Sequence, residues 1–291
     1  LAQGNIDQSI KWSPAYRSET VDIYEKLSLG AAQTKGTNLI IWPESATPFY
    51  FQEDSLLAEK VRATARETGT YLLFGSPAFE TVDNRQRYLN SAFLLSPSGE
   101  NLGRSDKIHL VPFGEYVPLK ALFPFIDKLV AGIGDFSPGT VSLLPISDHK
   151  IGVLVCFEGV FPSLARNYVR KGSDLLVNIT NDAWFGRSSA PDQLLAMTRF
   201  RAIENRTWVA RAANTGISAF IAPSGRVQGK TAVFEEAVTV ARVGLGAGAS
   251  LYTRFGDVFP GLLGVISVFW LVRSRIPYGA GFRSRGTGDR Q

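Results

Sequence analysis

The single cysteine of the chain, Cys156, ends a continuous apolar run, IGVLV at 151–155, and is followed directly by Phe157, Glu158 and Gly159. A nucleophile at the end of a buried strand, in a tight turn into the next element, is held rigidly with its reactive atom presented, as in the serine elbow of other hydrolases. A thiol must lose its proton to react. The two histidines, His109 in KIHLVPFG and His149 in the polar turn SDHK, have no obvious orienting partner, so a Cys–His pair is a weak candidate. A carboxylate serves better. Glu44 follows the run LIIWP at 39–43, so a second buried strand also stops at a functional group, and Pro43 ends that strand. Lys107 lies in SDKIHLVPFGEYVP, a stretch dense in apolar residues, glycine and proline, where a lysine is costly unless paired. It can lower the pKa of a nearby thiol and then stabilise an oxyanion, with Glu115 as its counter-charge. Each residue alone has a plainer reading: a buried structural cysteine, a solvated loop acid, a snorkelling surface lysine. Taken as a set, Glu44, Lys107 and Cys156 point to a hydrolase-type site in which the cysteine takes up an acyl group.

The elements that must position these residues alternate short apolar runs with amphipathic stretches, which predicts an α/β fold. Strands are expected at 37–42 and 71–75, with a helix between them at about 55–67. A strand at 87–95 closes in a Pro-Ser-Gly turn at 97–99. Further strands are expected at 151–155, 174–179, 208–212 and 217–221, the last two as a hairpin, with a helix at 190–205. No internal repeat or low-complexity tract interrupts them.

Residues 258–272 (VFPGLLGVISVFWLV) carry no charge, and the tail beyond them carries five arginines against one aspartate. That tail holds most of the formal charge of +5, so the basic balance marks a membrane flank and excludes nucleic acid as the natural partner. The organisation expected is a catalytic domain over 1–245, a linker at 246–257, a transmembrane helix at 258–272 and a basic tail at 273–291. A spanning helix with a cytoplasmic tail places everything before residue 258 on the opposite side of the membrane. One cysteine permits no internal disulfide, and two separated histidines with one cysteine cannot form a structural zinc site, so no metal and no cofactor is expected. The start at Leu1, inside what reads as a strand and its turn, suggests the C-terminal part of a longer protein. The segment PFGEYVPLKALFPFIDKLV at 112–130 is too apolar for an ordinary surface loop. It is expected either to pack on the core or to form a lid dipping into a bilayer, with Phe113, Tyr116, Leu122, Phe123 and Phe125 at the rim.

WPES at 42–45, KIHLVPFGEYVP at 107–118 and VCFEGVFP at 155–162 resemble the nitrilase, or carbon-nitrogen hydrolase, superfamily. More narrowly, QGNIDQSIKW at 3–12, RYLNSAFLL at 87–95, NITNDAWFGRSSAPDQ at 178–193 and RAIENRTWVARAANTGISAFI at 201–221 resemble its apolipoprotein N-acyltransferase family. The resemblance implies a four-layer α-β-β-α sandwich followed by a C-terminal hydrophobic helix. It implies Glu44 as general base, Lys107 as oxyanion stabiliser and Cys156 as nucleophile. Trp12, Asn90, Glu115, Phe157 and Glu158 form the supporting or substrate-binding set. The implied reaction passes a phospholipid acyl chain through a cysteine thioester to the N-terminal amine of a diacylglyceryl-cysteine lipoprotein. The implied location is the bacterial inner membrane, with the catalytic domain periplasmic. The chain departs from the family pattern at Leu194, where histidine is usual, at Phe157, where tyrosine is frequent, and at Ala222, where aspartate is frequent. A soluble nitrilase-type amidase or carbamoylase acting on small C–N bonds shares the three residues and is the alternative.

Overall fold

Alternation of apolar side chains along the strands sets the layering of the computed structural model, which describes residues 1–53, 55–116, 135–246, 248 and 250–275. In chain order the first half contains β1 (Ala2–Gln3), α1 (Arg17–Ala32), β2 (Leu39–Ile41), α2 (Ser55–Thr68), β3 (Tyr71–Val82), β4 (Arg85–Leu95) and β5 (Asn101–Asp106). The second half contains β6 (Leu143–Ile146), β7 (His149–Val155), α3 (Pro162–Arg170), β8 (Leu175–Thr180), α4 (Ala190–Asn205), β9 (Val209–Ala213), β10 (Ala219–Ile221), β11 (Val227–Gln228) and β12 (Ala237–Val238). Two helices follow, the short α5 (Leu251–Phe255) and the longer α6 (Val258–Arg275).

A four-stranded sheet runs in the order β2-β3-β4-β5, and a six-stranded sheet in the order β11-β10-β9-β8-β7-β6. On the first sheet Ile40, Trp42, Leu72, Phe74 and Phe93 turn outward to Val21, Tyr24 and Leu27 of α1 and to Ala58, Val61 and Ala65 of α2. The intervening residues Ile41, Leu73, Ala92 and Leu94 turn the other way and meet Val153, Val155, Val177, Ile179 and Ala212 of the second sheet. Leu154, Leu176 and Val209 then face Leu164 and Tyr168 of α3 and Leu195 and Ala202 of α4. The period of two along each strand therefore produces helix, sheet, sheet and helix layers with three apolar interfaces.

Several elements differ from expectation for identifiable reasons. β3 runs to Val82 rather than stopping near Gly75, and pairs with β4 through a two-residue turn at Asp83 and Asn84, both in the left-handed region. Pro77 argues against a strand there, but β2 ends at Ile41 and leaves that edge of β3 unpaired, so the missing N–H is tolerated. α1 is not marked by caps. Its burial at Thr20, Val21, Tyr24, Leu27, Ser28 and Ala31 supplies the helical stripe, in which Thr20 and Ser28 dilute the apolar signal.

The chain divides into two compact units, Leu1–Arg254 and Phe255–Gln291. Within the second, the apolar segment forms α6 and continues through Arg273 to Arg275. Its 18 residues rise about 27 Å at 1.5 Å per residue, and its large apolar side chains are exposed along its length. Among the described residues no helix is long and apolar enough to cross a membrane. Between the last strand and α5, Gly246 and Gly248 donate backbone hydrogen bonds to Asp174 and Arg206. The expected tail beyond Arg275, and Leu122, Phe123 and Phe125 of the expected lid, lie outside the described residues. Phe113 and Tyr116 are described: they close a tight turn through the bond from Phe113 N–H to the Tyr116 carbonyl, and Phe113 is exposed.

Candidate active site

Three strand ends carry the three residues. Glu44 lies three residues past the end of β2, Lys107 directly follows β5, and Cys156 directly follows β7 and opens a 3-10 turn, Cys156–Val160. The Glu44 turn is seated against β3 at Gly75. A Cβ there would meet Ser45 N at 2.5 Å and Glu44 Cα at 2.6 Å, so only glycine lets the two backbones approach. Cys156 has φ of +57°, a left-handed conformation that a residue with a side chain holds only where its surroundings impose it. Asn178 of β8 supplies the restraint. Its Nδ2 donates to the carbonyls of Leu154 at 2.9 Å and Cys156 at 3.1 Å, while the buried Arg211 guanidinium donates to its Oδ1.

The charged groups interlock. Asn90 Nδ2 donates to Glu44 Oε1 at 2.8 Å and to Glu115 Oε1 at 2.9 Å, bridging the two carboxylates. Lys107 Nζ lies 2.8 Å from the same Glu115 oxygen and 3.7 Å from Glu44 Oε1, and is only 1% exposed. Glu44 Oε2 accepts the backbone N–H of Asn181 at 2.9 Å. Burial opposes the charge of Lys107, but Glu44, Cys156 and Glu115 together outweigh it and raise its pKa, so the ammonium is permanent. Asn90 Oδ1 is left buried without a hydrogen-bond partner, since the amide is oriented by the two carboxylates.

The thiol departs from expectation. Lys107 does favour the thiolate, but burial first and the Glu44 carboxylate second push Cys156 up to about 12. The resting thiol is therefore protonated, with the Glu44 carboxylate and the Lys107 ammonium as the charges that act on it most.

Glu158 is fully buried, and its carboxylate accepts three backbone N–H groups: Ile108 at 2.6 Å, His109 at 2.8 Å and Val155 at 2.7 Å. It ties the segment after Lys107 to the strand end before Cys156. Burial pushes it up to about 7 against those three bonds. Trp12 and Phe157 present aromatic edges, 45% and 40% exposed. Trp12 also lines a 340 Å³ cleft with Arg17, Phe49, Tyr50, Glu53, Pro77 and Phe136. A larger cavity of 690 Å³ lies at the opposite strand ends, lined by Leu39, Ile146 and Leu175, away from the chemistry. The histidines stand apart. His149 does have a carboxylate neighbour, Asp174 at 3.4 Å, but at the far end of β7 from Cys156, and His109 packs on Phe161. Among the described residues no group of three or more His, Cys, Asp or Glu could hold a metal ion.

Sequence reasoning missed the residues that reach the site from elsewhere in the chain: Lys11, Asn178, Asn181, Asp182 and Arg211. Asp182 pairs with Arg211 at 2.8 Å, both buried, and accepts from the Thr180 hydroxyl. For Asn178 and Asp182 the available signal was the change from the apolar LLV at 175–177 to Asn178, Thr180, Asn181 and Asp182, with Ile179 alone apolar among them.

Residues 1–251 match the family model described as carbon-nitrogen hydrolase. The chain is 60% identical over 260 residues to the apolipoprotein N-acyltransferase of Geobacter metallireducens, covering 89% of this chain and 50% of that protein. It is 37% identical over 262 residues to that of Methylococcus capsulatus, covering 88% and 50%. The chain thus spans about half the length of the curated relatives it matches. Among solved structures, a mutant of the amidase from Nesterenkonia sp. AN1, with acrylamide added at its active-site cysteine, superposes with a TM-score of 0.60 at 21% identity. That alignment covers 91% of this chain and 98% of the amidase, a likeness of fold. With strand-end Glu44, Lys107 and Cys156 set between two sheets and a family match across nearly all of the first unit, the chain belongs to the carbon-nitrogen hydrolase family.

Proposed function

We propose that this chain carries the catalytic part of an N-acyltransferase that moves an acyl chain from a phospholipid, through a thioester on Cys156, to the N-terminal amine of a diacylglyceryl-cysteine lipoprotein. The observation that carries the reading is the buried grouping of a protonated thiol, a carboxylate and a permanent ammonium at three strand ends. The 60% identity to a named acyltransferase directs that chemistry to acyl transfer. In the first half-reaction Glu44 takes the thiol proton as sulfur attacks the ester carbonyl, and Lys107 stabilises the oxyanion. Collapse breaks the ester C–O bond, and Glu44 returns the proton to the leaving lysophospholipid oxygen. In the second, the lipoprotein amine attacks the thioester, and its proton passes through Glu44 to the departing thiolate. Lys107 is held for this role by Glu115, and Asn90 keeps Glu44 and Glu115 in register.

A membrane setting belongs to the same proposal. The exposed apolar α6, ending at Arg273 and Arg275 beside Trp270, supports anchorage at the bacterial inner membrane with the tail cytoplasmic and the catalytic unit periplasmic. The aromatic edges of Trp12, Phe113 and Phe157 support approach of a lipid to the site. The test is to incubate the detergent-dispersed chain with phospholipid and a synthetic diacylglyceryl-cysteine peptide and to weigh the peptide. A gain of one acyl chain, absent with Cys156→Ala, is expected. Hydrolysis of small amides with no gain on the peptide would replace this reading with that of an amidase.

A further inference from the structure

Lys11 stands outside the Glu–Lys–Cys set, yet it is as deeply buried as Lys107. Its Nζ donates to the backbone carbonyl of Glu44 at 3.2 Å, and its charge acts on both the Glu44 carboxylate and Cys156. An apolar residue would fill such a position at lower cost, so a lysine there needs an electrostatic reason. The loop that carries it is pinned to the same framework as Glu44. Asn5 and Ile6 donate backbone N–H groups to Asn214, and Asn181 Nδ2 donates to Gln8 at 2.7 Å. The backbone of that same Asn181 holds Glu44 Oε2.

The charge inventory shows what Lys11 adds. Glu44, Lys107, Asp182 and the Thr180 hydroxyl act on Cys156, and Glu44 and Cys156 act on Lys11. Asp182 is paired with Arg211. Lys107 alone would have to balance Glu44, Glu115 and any negative charge forming on sulfur. With Lys11 charged, each of the two carboxylates has a cation beside it. We propose that Lys11 is a positioning residue for acylation, whose ammonium fixes the Glu44 turn and offsets the Glu44 charge so that the Cys156 sulfur can become negative as it attacks. This rests on the reading of Cys156 as nucleophile given above.

Burial draws the Lys11 ammonium down to about 8, against the pull of Glu44 and Cys156. Its support for the thiolate is therefore present below that pH and lost above it. Alkylation of Cys156 by iodoacetamide, followed by intact mass from pH 6 to 9.5, reads this without any lipid. In the unsubstituted chain the logarithm of the rate should climb with pH and flatten from about pH 8, where Lys11 loses its charge. Lys11→Met should be slower by about tenfold below pH 8, converge with the unsubstituted chain above it, and show no flattening. Lys11→Arg, charged throughout, should also lack the flattening and overtake the unsubstituted chain above pH 8. A purely structural lysine would lower the rate by one factor at every pH, and that result in Lys11→Met overturns the proposal. If Lys11→Met does not fold, a Lys11→Arg profile that keeps the flattening overturns it as well. The nucleophile reading beneath it fails separately: a phospholipid-derived mass increase that survives Cys156→Ala overturns that reading, whatever the Lys11 profiles show.

Discussion

Replacing Glu44 by glutamine should move thiol acidity and catalysis in opposite directions. Glu44 is the largest charge effect raising the Cys156 thiol to about 12, second only to burial. Near pH 7.4 such a thiol is ionised to only a few parts in 10⁵, by the tenfold-per-unit relation between pKa and protonation. On the proposed mechanism, proton removal by Glu44 during attack therefore supplies the rate. Glu44→Gln removes the base but also the repelling charge. The glutamine can still accept from Asn90, while the bond from Asn181 N–H weakens. The thiol pKa should fall by about one to two units, and iodoacetamide alkylation above pH 8 should quicken correspondingly. Acylation by phospholipid should fall about 10²- to 10⁴-fold, the usual worth of a positioned base. Alkylation profiles and single-turnover acylation, both read by intact mass on the same preparation, give the two numbers. Slower alkylation together with unaltered acylation would refute the assignment of Glu44.

Other substitutions test the supports. Lys107→Met leaves the Glu44 and Glu115 carboxylates buried without their ammonium and should cost about 3–5 kcal/mol, seen as a lowered urea midpoint, with acylation abolished. Gly75→Ala forces β3 away from the Glu44 turn and should cost about 1–3 kcal/mol, with a loss of acylation greater than the loss of fold, measured by melting and single-turnover assay on one sample. Glu158, with its folded pKa raised to about 7, holds a proton that the unfolded chain releases above the ordinary value of 4.5. Stability should therefore fall as pH rises from 4.5 through 7, by about 3 kcal/mol from this group, and Glu158→Gln should flatten that slope in urea titrations at pH 5 and 7.5.

The sequence singled out Glu44 and Cys156 because each follows an apolar run, and a strand end is a local event, whereas Lys107 stood out by lying in the apolar, glycine- and proline-rich stretch SDKIHLVPFGEYVP. The α/β class was legible in the succession of apolar runs and amphipathic stretches, but the continuous runs at 39–42 and 151–155 do not say which side chains face helix and which face sheet, so the four layers rested on the resemblance. What stayed hidden was non-local. Nothing near Lys11 or Asn181 announces a partner, because each meets Glu44 only after the two sheets pack. The thiol's acidity was misjudged for the same cause: a neighbouring lysine lowers a thiol pKa, but burial and Glu44 are countable only in three dimensions. Pro77 concealed half of β3, since the free edge that tolerates it depends on where β2 ends.

The most direct measurement is the intact mass of the detergent-dispersed chain after incubation with phospholipid, beside a Cys156→Ala control. An increase of one acyl chain that hydroxylamine removes, and that the control lacks, is the predicted result. An unchanged mass, or an adduct that persists in Cys156→Ala, would contradict a thioester on Cys156.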